Sequence, residues 1–509
     1  MFSKVFISLP VQLGILAFSA SIALTSLPLA AQNAELEQAI QAYEQQDFET
    51  ARQKFTEQAK LKNAQASYEL ARMLLGGQGG AQDIPAALKW LRQAIQDNYA
   101  PAMRLVAQLQ LQKNGPVPQD LKSAANLMTR AAQADDVPAQ ILLAQMYEQG
   151  IGVGKDPSSS ARLLQRAAET GNAQAQFMLA KFYARGRGGL PRDPAKALEL
   201  QTAAAKGGYG AAQLFLALQY LYGQKDQQDL TKGIDWLTRA AENNNPMAQR
   251  VLGTTYLQGG ALPQDTGKAL LWLTRAAKAG EAGAQSNLGY IYATGNGAEQ
   301  DFQKAAQWYE KAADQGLLRA MTALGSLYKA GKGVPQDPAY AADLYLQAAS
   351  KGEKNAQTEL ARMIASGQVA PPPRNPRVTV WIYRLALQGD APAREWLVQK
   401  AAQGDIPAKA RLGHIYKSDA DPALQQKGLK LLTYAAERGD AFAQYRLAQI
   451  FGSGDGVEQD FMQAHMWANL SAARGYPKAA KSRDVFAKLM TPEQVSQAQK
   501  MAREYVAKN

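Results

Sequence analysis

His414 and His465 are the only imidazoles in 509 residues, and the chain has no cysteine. Nucleophilic, acid–base or metal chemistry would start from such groups. The two histidines lie 51 residues apart, His414 on the first predicted helix of one segment and His465 on the second predicted helix of the next. A zinc site needs three or four ligands in a fixed geometry, and no Asp or Glu stands at ligand spacing from either ring. A Ser-His-Asp arrangement has no further members here. The run from Gly325 to Lys332 looks at first like a phosphate loop. It has five residues between its glycines where that loop needs four, Gly333 stands where a hydroxyl is required, and no strand precedes it. Asp455 and Asp460 flank Gly456 as a calcium loop would begin, but the remaining oxygen ligands are missing. No catalytic, cofactor-binding or metal residue is therefore assigned, no cofactor is expected, and the chain reads as a non-enzyme.

What would position any functional side chain is a repeated pair of helices. Gln285 to Gly316 shows it most plainly: a helix with Leu288, Gly289 and Tyr292, a loop with Gly295, Gly297 and Asp301, and a second helix with Ala305, Trp308, Ala312 and Ala313. The loop aspartate recurs as Asp83, Asp120, Asp156, Asp193, Asp229, Asp265, Asp301 and Asp337, in steps of 36 or 37 residues. A fixed period of this size marks a stacked helical array. Seven residues past each aspartate stand Trp90, Leu127, Leu163, Leu200, Trp236, Trp272, Trp308 and Leu344, expected to fill the gap between helices. Alanine pairs such as Ala131-Ala132 and Ala348-Ala349 follow, small enough to let a neighbouring helix approach to about 8 Å. The aspartate stands where an N-cap would accept free backbone N–H groups, with Pro157, Pro194 and Pro338 at the first helical position. Gly150, Gly152, Gly331 and Gly333 supply the positive φ of a sharp reversal.

The best-matching copy, with Leu324, Gly325, Tyr328, Gly331, Gly333, Val334, Asp337 and Ala348-Ala349, resembles the Sel1-like repeat, a longer relative of the tetratricopeptide repeat. The likeness runs over roughly residues 64 to 475. It implies an all-α fold, an α/α superhelical solenoid of helix-turn-helix repeats in which each unit touches only its neighbours. Some secreted members staple each repeat with a disulfide; this chain, lacking cysteine, relies on packing alone. A lipobox cysteine is excluded on the same ground.

The chain divides by this reading into a secretory signal at 1–31, a tetratricopeptide-like capping hairpin at 32–63, a regular array at 64–370, a proline-rich break and lone helix at 371–405, further repeats at 406–475, and capping helices at 476–509. In the leader, Lys4 is followed by no charge until Glu35, and cleavage is expected after Ala31; an uncleaved anchor is the alternative. Either way the repeats lie outside the cytoplasm, periplasmic or secreted, with no membrane insertion once the leader is removed. In the break, Pro371, Pro372, Pro373 and Pro376 cannot sit inside a helix, and one repeat has lost half its hairpin. Farther on, Ser418 to Lys427 reads as a charged loop. Near the end, Lys481 to Met490 reads as a helix, and Thr491-Pro492-Glu493 opens the last one.

The formal net charge is +12, or +11 without Lys4. The basic residues are spread through every repeat and match no nucleic-acid motif, so nucleic acid is not the expected partner. By resemblance to tetratricopeptide arrays, the first helix of each repeat lines a groove. Residues two before and two after its leucine, and those just past its tyrosine, would then face a partner: Phe177, Lys181, Arg185, Arg250, Thr254, Tyr290, Thr322, Ser326 and Lys329, with His414 and Tyr445 farther on. Some, notably Phe177 and Tyr290, would equally serve packing between repeats. The resemblance implies a non-catalytic extracytoplasmic scaffold for protein partners. The alternatives are a cell-wall or β-lactam-handling hydrolase, for which no supported Ser-x-x-Lys stands out, and binding of an acidic polysaccharide in an export complex.

Overall fold

The computed structural model describes residues 27–225, 228–373 and 375–508. Most of the proposed leader lies outside the described residues; 27–31 open the helix Leu27–Glu44. The described chain is helical, without a strand, and falls into two compact units that divide between residues 227 and 228. No helix among the described residues is long and apolar enough to cross a membrane.

Within each unit the pattern is the helix hairpin, and its local causes are readable. In Ala282–Thr294 followed by Phe302–Asp314, the first helix stops at Gly295, held at φ +76°. The loop then returns, and the Asp301 N–H donates to the Tyr292 carbonyl at 2.8 Å. The Asp301 carboxylate accepts from the Lys304 N–H at 2.9 Å and so caps the second helix. Asp83, Asp120, Asp156, Asp193, Asp229, Asp265 and Asp337 cap their helices in the same way. Losing such a cap costs about 1 kcal/mol of helix stability.

The buried face of the second helix differs from the expected one. The residue eight past the aspartate, not seven, fills the interface: Leu91, Met128, Leu164, Leu237, Leu273, Tyr309 and Tyr345 are buried, between alanines or small residues four and eleven past it. The seventh residue, except for Leu344, is half-buried. Trp236, Trp272 and Trp308 lie beside the cations of Arg239, Arg275 and Lys311, with 5.3, 4.9 and 4.5 Å from charge to ring centre. Spacings of 4-3 and 3-4 both trace one helical stripe, so the pattern alone does not choose between them.

Where the eighth residue is tyrosine, the facing first helix needs glycine. A Cβ on Gly289 would lie 2.6 Å from Tyr309 Cδ1, and one on Gly325 would lie 2.9 Å from Tyr345 Cε1. A buried glutamine completes the joint between repeats. Gln140, Gln213, Gln249, Gln285 and Gln444 each donate from Nε2 to the second-alanine carbonyl of the preceding second helix, at 3.0 to 3.2 Å.

Between 354 and 405 the hairpin rhythm changes. Lys354–Ala365 and Arg377–Leu387 are followed by Ala391–Ala402 and then directly by Ile406–Lys417, with no second helix between the last two. The expected loop from Ser418 to Lys427 is shorter than the sequence suggested, because Asp421 caps a helix, Pro422–Glu437, that begins inside it. That helix approaches its partner closely: a Cβ on Gly428 would lie 2.6 Å from the Gly413 carbonyl oxygen. The chain closes with Ala479–Ala487 and Pro492–Lys508. Thr491 and Gln494 form a reciprocal capping box, each side-chain oxygen accepting the other's backbone N–H.

Candidate partner-binding surface

Many of the side chains assigned to the groove are bonded between repeats. Arg250 Nε lies 3.1 Å from Glu281 Oε1. The Thr322 hydroxyl donates to Glu353 Oε2 at 3.2 Å, and Lys329 Nζ lies 2.8 Å from Glu359 Oε2. The Thr254 hydroxyl accepts from Asn287 Nδ2 at 3.1 Å, and within its own repeat Ser326 shares a hydrogen bond with the Tyr345 hydroxyl at 2.9 Å. Phe177 is buried against the rings of Tyr209 and Phe215. Tyr290 is 52% exposed. Lys181 and Arg185 are exposed and form no ion pair among the described residues. The Lys181 amine lies 4.5 Å above the Phe177 ring; burial, and then the neighbouring Arg185 charge, push its pKa down.

The bonded residues follow a rule. At several joints the residue just before a first helix meets a side chain on the first helix of the preceding repeat. Three of the acids there do two things at once: each caps its own helix and pairs with a cation on the preceding first helix. Asp136 does so with Arg104 at 2.9 Å, Glu281 with Arg250, and Asp440 with Arg411 at 2.9 Å. Glu353 caps likewise and takes the Thr322 hydroxyl. Where the residue is tyrosine, it makes no side-chain cap and meets a ring: Tyr99 meets Tyr68 at 5.6 Å, and Tyr209 meets Phe177 at 5.5 Å. Sequence reasoning missed this rule because its partners lie about thirty residues apart.

In the C-terminal unit the same side of the helices gathers rings from three elements and a loop. Tyr383 comes from Arg377–Leu387, His414 from Ile406–Lys417, Phe442 and Tyr445 from Ala441–Ser453, and Tyr476 from the segment after the next helix. Tyr383, His414 and Phe442 pack edge to face with centres 5.7 to 5.8 Å apart, and Tyr445 lies 4.8 Å from Tyr476. His414 Nδ1 is 2.6 Å from the Tyr383 hydroxyl. Burial, and then the charge of Arg446, push the His414 pKa down to about 4, so the imidazole is neutral at pH 7. Burial raises the Tyr383 pKa. At neutral pH neither group carries charge, so the pair holds geometry and is a poor proton-transfer couple. Arg411 is stacked on Phe442 at 4.4 Å and paired with Asp440. Arg446 is different: its Nε is buried and donates to no partner among the described residues. Tyr383, Phe442, Arg446 and Tyr476 were not singled out from the sequence; Tyr445 and His414 were.

Among the described residues no group of three or more acids and histidines is arranged to hold a metal ion. His465 is buried on Phe461–Ala473 and pairs with no second ligand. Asp455 lies 2.9 Å from Lys417 Nζ, and Asp460 caps a helix.

The Sel1 repeat family model matches ten stretches: 64–99, 100–136, 137–172, 173–209, 210–245, 246–281, 282–317, 318–353, 406–440 and 441–476. The chain belongs to the Sel1 repeat family. It is an all-α solenoid of such repeats, and proteins built this way are generally protein-interaction scaffolds. Among solved structures it is similar to an SLR-fold protective antigen present in uropathogenic Escherichia coli strains, at 26% identity over 90% of this chain and 94% of that one, TM-score 0.47. A Sel1 repeat protein from Oxalobacter formigenes is 30% identical over 65% of this chain and 92% of that one, TM-score 0.41. The cysteine-rich protein B of Helicobacter pylori is 27% identical over 26% of this chain and 96% of that one, TM-score 0.21. No curated protein matches the sequence.

Proposed function

We propose that this chain is a non-catalytic scaffold, exported through residues 1–31, that holds protein partners on the first-helix side of its repeats. One observation carries the reading. On that side Arg104, Arg250, Lys329 and Arg411 are paired with acids of the next repeat, whereas Lys181, Arg185 and Arg446 have no acid partner among the described residues, and the Lys181 amine lies over the Phe177 ring. Arginine and tyrosine together are the residues most enriched at interface hot spots. Unpaired cations beside aromatic carbon suit an acidic, partly apolar protein surface. Arg250 serves the repeat joint in this reading, and Lys181 with Arg185 carries the contact in the N-terminal unit.

The test is cross-linking and affinity capture with the full chain, in parallel with a Lys181→Glu/Arg185→Glu/Arg446→Glu variant. The expected result is one stoichiometric protein partner, lost in the variant and kept when the exposed Arg166 is reversed instead. Capture that survives the triple change, or turnover of a cell-wall or β-lactam substrate by the pure chain, overturns the reading. Export is tested separately: the mature protein should begin after Ala31 when its N-terminus is sequenced.

A further inference from the structure

A cavity of about 290 Å³ lies between the second helices Leu121–Gln133 and Pro157–Glu169, over the first helix Val137–Gln149. Its floor is apolar: Leu143, 2% exposed, with Ala132 and Leu163. Tyr147 forms a wall, and Ser159, Arg162 and Arg166 stand at the rim. The same frame recurs four repeats on, at a constant offset of 145 residues. Ala132 answers to Ala277, Leu143 to Leu288 and Tyr147 to Tyr292, identical in type; Arg166 answers to Lys311, a cation for a cation. Two of the differences empty the frame. Where the cavity has Leu163 the later repeat has Trp308, and where it has Ser159 the later repeat has Lys304. Trp308 packs on the cluster that contains Ala277 and Leu288, with the Lys311 amine 4.5 Å from its ring centre. Lys304 lies 5.5 Å from the centre of the Tyr292 ring. The cavity is thus the place where the later repeat keeps an indole and a lysine stem. At Leu344, another leucine seven past its aspartate, Tyr340 stands in Ser159's position and packs on the Tyr328 ring at 4.7 Å. At Leu163 neither device is present. Arg166 lies over no ring among the described residues and pairs instead with the exposed Asp135.

We propose that this cavity binds a tryptophan side chain of a protein partner, the indole lying on Leu143 and Leu163 with the Arg166 guanidinium over it, as Trp308 lies beneath Lys311. The chain's own packing argues the occupant. Three repeats close the frame with tryptophan and place a cation over it three residues on: Trp236 with Arg239, Trp272 with Arg275, and Trp308 with Lys311. The volume sets the size. Small-ligand sites run from about 300 to 1,000 Å³, so this one holds a single ring and not an oligosaccharide or a dinucleotide. An apolar floor inside a polar, basic rim is the anatomy of an anchor site for one aromatic residue of a larger partner. A cation over the ring adds attraction that an aliphatic side chain would not gain. The cavity opens between second helices, whereas the groove proposed above runs along the first helices. Its occupant is therefore a separate contact and goes beyond the groove reading.

The experiment uses the immobilised full chain and three pools of seven-residue peptides, acetylated and amidated. The pools are random in non-aromatic residues around a central tryptophan, leucine or alanine. The wild-type chain should retain the tryptophan pool at least about tenfold better than the alanine pool, the lower end of what filling an apolar pocket gives, and better than the leucine pool. Leu163→Trp should erase the preference, because the chain's own indole then takes the space, and should leave the urea midpoint unchanged or raised. Ser159→Lys supplies the cation found at Lys304 and should erase most of it; the backbone N–H that Asp156 accepts is kept, so this variant serves where Leu163→Trp does not fold. Arg166→Gln should lower retention about threefold, the scale of one exposed cation–π contact. Equal retention of the tryptophan and alanine pools by the wild type overturns the proposal, as does a preference that survives Leu163→Trp, or Ser159→Lys where the first variant does not fold. A leucine pool held as well as the tryptophan pool overturns the choice of a ring. Retention unchanged by Arg166→Gln overturns the placing of the ring beneath that cation. Lys181→Glu/Arg185→Glu/Arg446→Glu should leave every one of these results as it is, so a failed groove capture and a failed cavity are told apart.

Discussion

The joint at Asp440 and the joint at Tyr209 occupy the same place in two repeats and are built from opposite materials. Asp440 caps its helix through the Ala443 N–H and takes both oxygens to Arg411, whose side chain is 13% exposed. Tyr209 caps nothing and leans on Phe177, with Phe215 behind it. The first joint satisfies a helix end and a buried cation with one group. The second leaves the helix end to its backbone carbonyl and gains contact area instead. A repeat therefore does not require one residue type at its joint: an acid answers Arg104, Arg250 and Arg411, a ring answers Tyr68, Phe177 and Tyr445, and Glu353 answers the Thr322 hydroxyl.

The largest test of this comparison is Asp440→Ala. It removes a cap and strands Arg411 in a largely buried position, so it should cost about 3 kcal/mol in urea unfolding. Asp440→Asn keeps the cap and should cost less. Tyr209→Ala should cost about 1.5 kcal/mol, as half-buried ring contact is lost. Its cost should be the same in 50 mM and 1 M salt, because no charge is involved; a salt-dependent loss would break the distinction drawn here.

Acid separates the joints next. His414 has its pKa lowered from 6.5 to about 4. A group held neutral in the fold contributes stability that is present above its unfolded pKa and is lost as pH falls toward the folded value. The C-terminal unit should therefore weaken between pH 6.5 and about 4, and His414→Gln should flatten that part of the stability-against-pH curve. A slope unchanged by His414→Gln would remove the imidazole from the account. Asp229, Asp265 and Asp301, held below the usual carboxylate range chiefly by the backbone N–H they accept, should produce a second, later loss as pH falls below about 4. Asp301→Asn should shrink it.

The smallest effect expected is at Arg166. Its 2.6 Å contact with Asp135 is shorter than the Arg411 pair, yet its partners are 47% and 79% exposed. Arg166→Ala should change stability by less than about 0.5 kcal/mol. A larger loss would mean that distance, not burial, ranks these pairs.

What was legible in the sequence is what the chain decides within a few residues. The aspartate caps, the αL glycines at Gly295 and Gly331 and the helix start at Thr491 are interactions three to five residues long, so the local pattern carries them. The Pro422 helix start escaped because Asp421 lies outside the glycine-loop template. The buried residue eight past the aspartate was misplaced by one. The side of a helix that faces its neighbour is set by how the two cross, and Trp236 or Trp308 looks like core by its size.

The sequence by itself determined that this protein is a stack of helix hairpins of fixed period, because the signals for starting, stopping and pairing them are local and repeated. Only the tertiary structure decided which of its cations are spent: Arg250 looked like groove until Glu281, thirty-one residues on, was found beside it. Arg446 and Arg411 read alike along the chain. Arg411 meets an acid and Arg446 does not, because the answer lies on the following repeat, a distance that spacing along the chain does not measure.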